Sequence, residues 1–219
     1  FAKHVEASAT AAPAAFSFAA APAGKEYSKK EPFEAELTEL QILNARGSAK
    51  ETYHIALSLE GSELIYQPGD ALGVLCENDP EYVDALIAEG GFDSTIRDRF
   101  LQDLEITTIT RPVLKAYAER CGSKELDAIV DDADKLRDYI YGRELIDLIA
   151  EYPIKSLTGD EFADMLRKLA PRLYSIASSL DANEEEVHLT VGATRYESHG
   201  RKRKGVASTF LADRVTVGD

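Results

Sequence analysis

Arg172-Leu173-Tyr174-Ser175-Ile176-Ala177-Ser178-Ser179 gathers a cation, an aromatic ring and several hydroxyls into one short, strand-like segment. Side chains alternate across a strand, so Arg172 and Tyr174 share one face and Leu173 and Ser175 the other. A guanidinium suits a two-pronged grip on a phosphate, and a tyrosine ring suits stacking on a flat conjugated ring. A ligand with both parts, such as a flavin dinucleotide, fits the pair. The same residues also fit an ordinary strand whose arginine meets a carboxylate and whose tyrosine fills a core.

Working outward, the segment sits where helical periodicity gives way to strand periodicity. Just before it, Thr158-Gly159-Asp160-Glu161 reads as a capping box, followed by the stripe Phe162, Met165, Leu166 and Leu169, with Pro171 as the stop. Further upstream, Asp79 caps a helix opened by Pro80, with Val83, Leu86 and Ile87 inward and Gly90-Gly91 at its end. A second helix follows Thr110-Arg111-Pro112, with Val113, Leu114 and Tyr117 inward and Gly122 as its stop. Leu136, Tyr139 and Ile140, then Leu145, Ile146 and Ile149, predict one or two more before Pro153.

Strand patterns flank this block. Phe33, Ala35 and Leu37 alternate with polar residues, as do Tyr53, Ile55, Leu57 and Leu59. Pro68-Gly69 marks a turn, and Ala71 to Leu75 is predicted as a short buried strand. After the opening segment, Val187, Leu189 and Val191 alternate again. Each strand set is too small to stand alone, so the layout predicts one β domain interrupted by a helical insertion.

Two more stretches carry chemical signals. Gly205-Val206-Ala207-Ser208-Thr209-Phe210-Leu211 joins a glycine and small residues to a helix start, whose free N–H groups attract anions. Ser208 suits either a cap or a phosphate contact, and a plain capped surface helix fits equally. Thr190-Val191-Gly192 with Tyr196 allows close backbone approach to a ligand beside an aromatic that is either a ring contact or a sheet rim. The run Arg201-Lys202-Arg203-Lys204, just before that turn, reads by default as a solvated loop, or more sharply as a guide for an acidic partner or for a phosphorylated nucleotide.

The 219 residues are 44% hydrophobic and 29% charged, enough for a packed core. A net charge of −14 argues against general nucleic-acid binding. No apolar run reaches membrane-spanning length. Cys76 and Cys121 have no metal-type spacing, which suits a reduced, cytoplasmic setting. The four histidines are scattered, and no nucleophile elbow, Walker loop, H-E-x-x-H or C-x-x-C motif is present. Reactivity is therefore expected from a bound cofactor. Residues 1–30, rich in Ala, Ser, Pro and Gly, read as a linker or tail. The start at Phe1 and the end just after Val215-Thr216-Val217 read as cuts in a longer protein.

In this order, Pro-Arg-Leu-Tyr-Ser-Ile-Ala-Ser-Ser and Gly-x-Ala-Ser-x-Phe-Leu-Ala-Asp-Arg resemble the ferredoxin–NADP reductase-like part of diflavin reductases, most closely the sulfite reductase flavoproteins. Cytochrome P450 reductases share a looser version. The resemblance implies an α+β fold: an antiparallel Greek-key FAD-binding β-barrel at residues 31–77 and 155–219, with a mostly helical connecting domain at 78–154. It implies FAD, with Arg172 on the pyrophosphate, Tyr174 on the isoalloxazine ring and Ser175 at the reactive flavin edge, the one catalytic candidate. Leu173, Thr190, Val191 and Gly192 fall beside the cofactor, Tyr196 near its adenosine half, and Gly205, Val206, Ala207 and Ser208 on its diphosphate turn. Thr107 matches a connecting-domain contact and Tyr141 another. The implied activity is NADPH-dependent electron transfer through FAD and FMN to a sulfite reductase hemoprotein. The FMN and NADPH domains are not in this stretch, so turnover with NADPH alone is not expected. A different electron acceptor (a P450-type or nitrate-reducing system) and a non-catalytic docking fragment are the alternatives.

Overall fold

The computed structural model describes residues 27–219; of the tail read at 1–30, residues 1–26 lie outside the described residues. The fold is a mixture of antiparallel sheets and helices, organised around two separate apolar cores.

The first core belongs to strands. β1 (Leu37–Ile42) pairs with β2 (Thr52–Ser58), which pairs with β5 (Glu186–Gly192). β3 (Ala71–Val74) pairs with β4 (Arg172–Ser175), and β6 (Arg195–Ser198) forms a hairpin with β7 (Arg201–Lys204). All of these pairings are antiparallel. A lone bridge from Ile176 to Leu189 ties the end of β4 to β5. Leu37, Ile55, Leu59, Val187, Leu189 and Val191 point inward with Ile176 and Leu211. These are the residues whose period-two alternation marks them as one sheet face.

The second core is helical. α1 (Pro80–Gly90) starts at Asp79, whose side chain accepts from the Glu81 amide, and ends with Gly91 in the left-handed conformation. α2 (Arg97–Gln102), α3 (Arg111–Cys121), α4 (Lys124–Asp131), α5 (Ala133–Ile140) and α6 (Leu145–Glu151) follow. α7 (Gly159–Met165) carries the expected Thr158–Glu161 capping box. Phe162 is the hub: its ring stacks on Phe92 at 5.3 Å and meets Phe100 and Tyr117 edge-on. Leu157, Phe162 and Ala163 pack in this helical core, not among the strands. α8 (Val206–Asp213) returns Leu211 to the strand core.

Several local expectations need correction. The stripe after the capping box does not run to Pro171: α7 stops at Met165, and Leu166 is extended. The following residues pair with 103–105 instead, through the Glu105 amide to the Arg167 carbonyl and the Leu169 amide to the Asp103 carbonyl. Those long-range bonds replace the helical ones that Leu166 to Leu169 would otherwise make. A strand does form at Ala71–Val74, but it is not buried: Ala71, Gly73 and Leu75 face outward, and Leu72 and Val74 are half-buried against the strand core. The basic run 201–204 is no solvated loop but a strand, with Arg203 among the most deeply buried charged side chains. α2 and α4 went unread because they are short, at six and eight residues, which leaves too few turns for a helical period to show.

Candidate functional site

A cleft of about 350 Å³ opens along the seam between the two cores. Thr107, Thr108, Gly142, Arg143 and Glu144 line it from the helical side, and Arg172, Thr194, Tyr196, Lys204, Gly205 and Val206 from the strand side. Residues read separately from the sequence thus meet: Thr107, Arg172, Tyr196, Gly205 and Val206.

Arg172 reaches the cleft from β4. One of its terminal nitrogens donates to Glu105 Oε2 at 2.8 Å, while 41% of its side chain stays exposed. Glu105 is only 2% exposed. Its other oxygen accepts from the Thr107 hydroxyl at 2.6 Å and from the Thr107 amide at 3.2 Å. Burial alone would raise the Glu105 carboxyl, but the Thr107 hydrogen bonds and the Arg172 charge hold it below the usual glutamate range. The carboxylate reading of Arg172 is therefore the one observed. It meets a carboxylate, and its remaining N–H groups stay available to an anion. Glu105 is the partner that sequence reasoning missed; it lies 67 residues away, beyond any local pattern.

Gly205 is the N-cap of α8 and, lacking a side chain, makes no cap bond, so the first turn has no side-chain acceptor. Uncapped first-turn amides are an anion site in the making. A Cβ at Gly205 would lie 2.6 Å from Ser208 Oγ and 2.9 Å from Thr194 Cβ, so only glycine fits the turn. The Ser208 hydroxyl is already committed: it accepts from the Thr194 amide at 3.1 Å and donates to the Gly205 carbonyl at 3.2 Å. Ser208 is therefore not the cap; it braces the turn against Thr194 in the connection between β5 and β6. Ala207 is buried beside it.

The other candidates stand around this centre. Tyr174 is half-buried against the strand core, and burial, with the nearby Cys76, pushes its phenol up against the opposing pull of Arg172. Leu173 and Ser175 face outward from β4. Thr190 and Gly192 are exposed on β5, while Val191 points into the core, leaving only its backbone for a ligand. Ser178 is spent internally, bonded to the Tyr66 hydroxyl at 2.6 Å and to the His188 amide at 2.9 Å. Two rings lie open near the cleft, Tyr196 in its wall and Tyr141, 83% exposed, at the end of α5.

Lys204 and Glu144 complete the rim, and sequence reasoning assigned neither to the site. Lys204 Nζ donates to Asp79 at 2.7 Å and Glu81 at 3.2 Å, bonds that strengthen its hold on its proton. Burial raises the Glu144 carboxyl, opposed by the Arg203 charge. The alternation of the basic strand was the available signal: Arg201 and Arg203 share one face, Lys202 and Lys204 the other.

A model of the FAD binding domain family matches residues 25–118 and 94–210. The chain is 46% identical over 208 residues to the sulfite reductase [NADPH] flavoprotein alpha-component of Bacillus subtilis, covering 88% of this chain and 34% of that protein. It is 43% identical to the protein of the same name from Mannheimia succiniciproducens, with 86% and 33% covered. A third, from Vibrio parahaemolyticus, is 41% identical, with 91% and 34% covered. The chain spans about a third of the length of these curated relatives.

Proposed function

The chain belongs to the FAD binding domain family, and from that premise we propose that it is the flavin-holding part of an NADPH-dependent diflavin reductase serving a sulfite reductase hemoprotein. The observation that carries this reading is the convergence on one cleft of Arg172, Thr107 and the uncapped first turn of α8. That donor set suits a diphosphate: a cation and backbone N–H groups, with a glycine that no larger residue replaces and with Thr107 in the wall, its hydroxyl proton given to Glu105.

The residues then divide the work. The amides of Val206, Ala207 and Ser208 and the free N–H groups of Arg172 hold the diphosphate. Tyr174 packs on the isoalloxazine, beside Leu173 and Ser175, with Thr190, Val191 and Gly192 along its flank. Tyr196 takes the adenosine half, and Thr107 adds a contact from the helical side. When bound, FAD supplies the step from two-electron hydride uptake to one-electron release toward FMN. NADPH and FMN would sit in the remaining two-thirds of the polypeptide that the relatives' length suggests. The bridge between Ile176 and Leu189 supports a Greek-key barrel closed around the strand core. The helical insertion is drawn from about residue 78 to 166, since α7 packs with the helices. A cytoplasmic location agrees with two free cysteines. No helix among the described residues is long and apolar enough to cross a membrane.

Titration of the deflavinated protein with FAD tests the reading. Saturable uptake of one FAD per chain, with quenched flavin fluorescence, is expected. NADPH-driven sulfite reduction should follow when the full-length protein is mixed with its hemoprotein. A protein that rejects added FAD would refute it and favour a docking fragment.

A further inference from the structure

The chain is strongly acidic, at −14 overall, yet its cleft is proposed to hold a dianionic diphosphate. Glu144 lines the same cleft as Gly205, with Asp147 buried one turn along α6. Unbalanced, these carboxylates would repel the ligand.

The balance comes from β7. Arg203 donates to Glu144 Oε2 at 3.0 Å and also to Asp147, with its side chain 1% exposed. Among the described residues its Nε has no partner, and these two carboxylates are the hydrogen-bond acceptors of the guanidinium. Arg201 takes the other Asp147 oxygen at 3.3 Å and Glu89 at 2.9 Å. The buried Tyr82 hydroxyl faces Glu144 outside hydrogen-bond geometry. Asp147 thus has a second cation, whereas Glu144 has Arg203 as its sole ion-pair partner among the described residues. At the far end of the hairpin, His199 meets the Tyr141 carbonyl at 3.1 Å.

We propose that Arg203 is an electrostatic positioning residue for the diphosphate site: from outside the cleft it neutralises Glu144, so that an acidic protein presents a non-repelling wall in the cleft that the Gly205 turn also lines. This rests on the FAD reading above. On this proposal Arg203 in the basic run acts on a phosphorylated nucleotide indirectly, by cancelling a carboxylate's charge, and does not guide an acidic partner. Burying a guanidinium against two carboxylates is seldom a net gain in stability, so a role at the adjoining site accounts for its placement better than stabilisation does.

The test uses the deflavinated full-length protein and FAD as the probe. If the wild type does not bind FAD, the functional reading falls, and this inference with it. If it does, Arg203→Met should weaken FAD binding by roughly tenfold or more, the effect of a unit charge left facing an anion at near-surface dielectric. Adding Glu144→Gln to that variant should restore most of the affinity, because the repelling charge is then gone. A double variant as weak as Arg203→Met would overturn the proposal and leave Arg203 a scaffold, and so would an Arg203→Met variant that binds FAD like the wild type. Should Arg203→Met fail to fold, Glu144→Gln in the wild-type background decides. Equal or tighter FAD binding supports neutralisation, and a tenfold loss overturns it.

Discussion

Removing Arg172 separates its structural work from its ligand work. Arg172→Ala deletes the 2.8 Å charge-assisted bond to Glu105, a carboxylate only 2% exposed. Such a bond contributes about 1.5–3 kcal/mol when well shielded. The arginine end is 41% exposed, so solvent screening puts the loss nearer 1–2 kcal/mol. Glu105 keeps its Thr107 and Thr108 hydrogen bonds, which prevents the larger penalty of an abandoned buried charge. The sign of the pH dependence follows. Glu105 titrates below its unfolded value, so the stability it confers is fully present above about pH 4.5 and lost as the pH falls through the folded value. Urea denaturation of the apo chain, followed by circular dichroism, should show the deficit of Arg172→Ala in full at pH 7 and diminished below about pH 4. FAD affinity should fall by roughly tenfold or more through loss of one charged donor. Adding Glu105→Gln should recover stability without recovering FAD affinity. Equal stability deficits at both pH values would refute the Glu105 linkage, and undiminished FAD retention would refute the phosphate role.

Gly205→Ala forces a Cβ against Ser208 and Thr194, so it should lower both the melting temperature and FAD content, with released flavin measured by chromatography. Tyr174→Ala removes a half-buried ring from the strand core and the proposed flavin stack, costing about 1–3 kcal/mol and most FAD retention, whereas Tyr174→Phe should keep both. Thr158→Ala breaks the capping box of α7 and should cost about 1 kcal/mol in denaturant titration with FAD affinity unchanged. Phe162→Ala, at the hub of the aromatic cluster, should cost about 3–5 kcal/mol by the same measurement.

Where the signals are local, the chain alone foretells its structure. Asp79-Pro80, Thr110-Arg111-Pro112 and Thr158 to Glu161 start helices because their side chains or rings satisfy or forgo the first amides within a few residues. The alternation of Ile55 with Leu57 and of Val187 with Leu189 and Val191 marks strands for the same reason. The pattern of each segment is its own evidence. The family, and with it the expectation of FAD, was likewise legible in two short motifs.

Partnership was not. Arg172 meets a carboxylate 67 residues away, and Arg203 meets one 59 residues away. The residues after Met165 leave the helix because strand-like partners at 103–105 take their hydrogen bonds. Ser208, read as a cap or a phosphate contact, braces Thr194 once the fold brings the β5–β6 connection alongside the turn. In each case the residue's type declared what it can bond, while only the packing of helices against strands decided which of its possible partners it found. That difference is physical: hydrogen bonds fall away within a few ångströms and screened charges within about 10 Å, and chain folding alone determines what lies inside those distances.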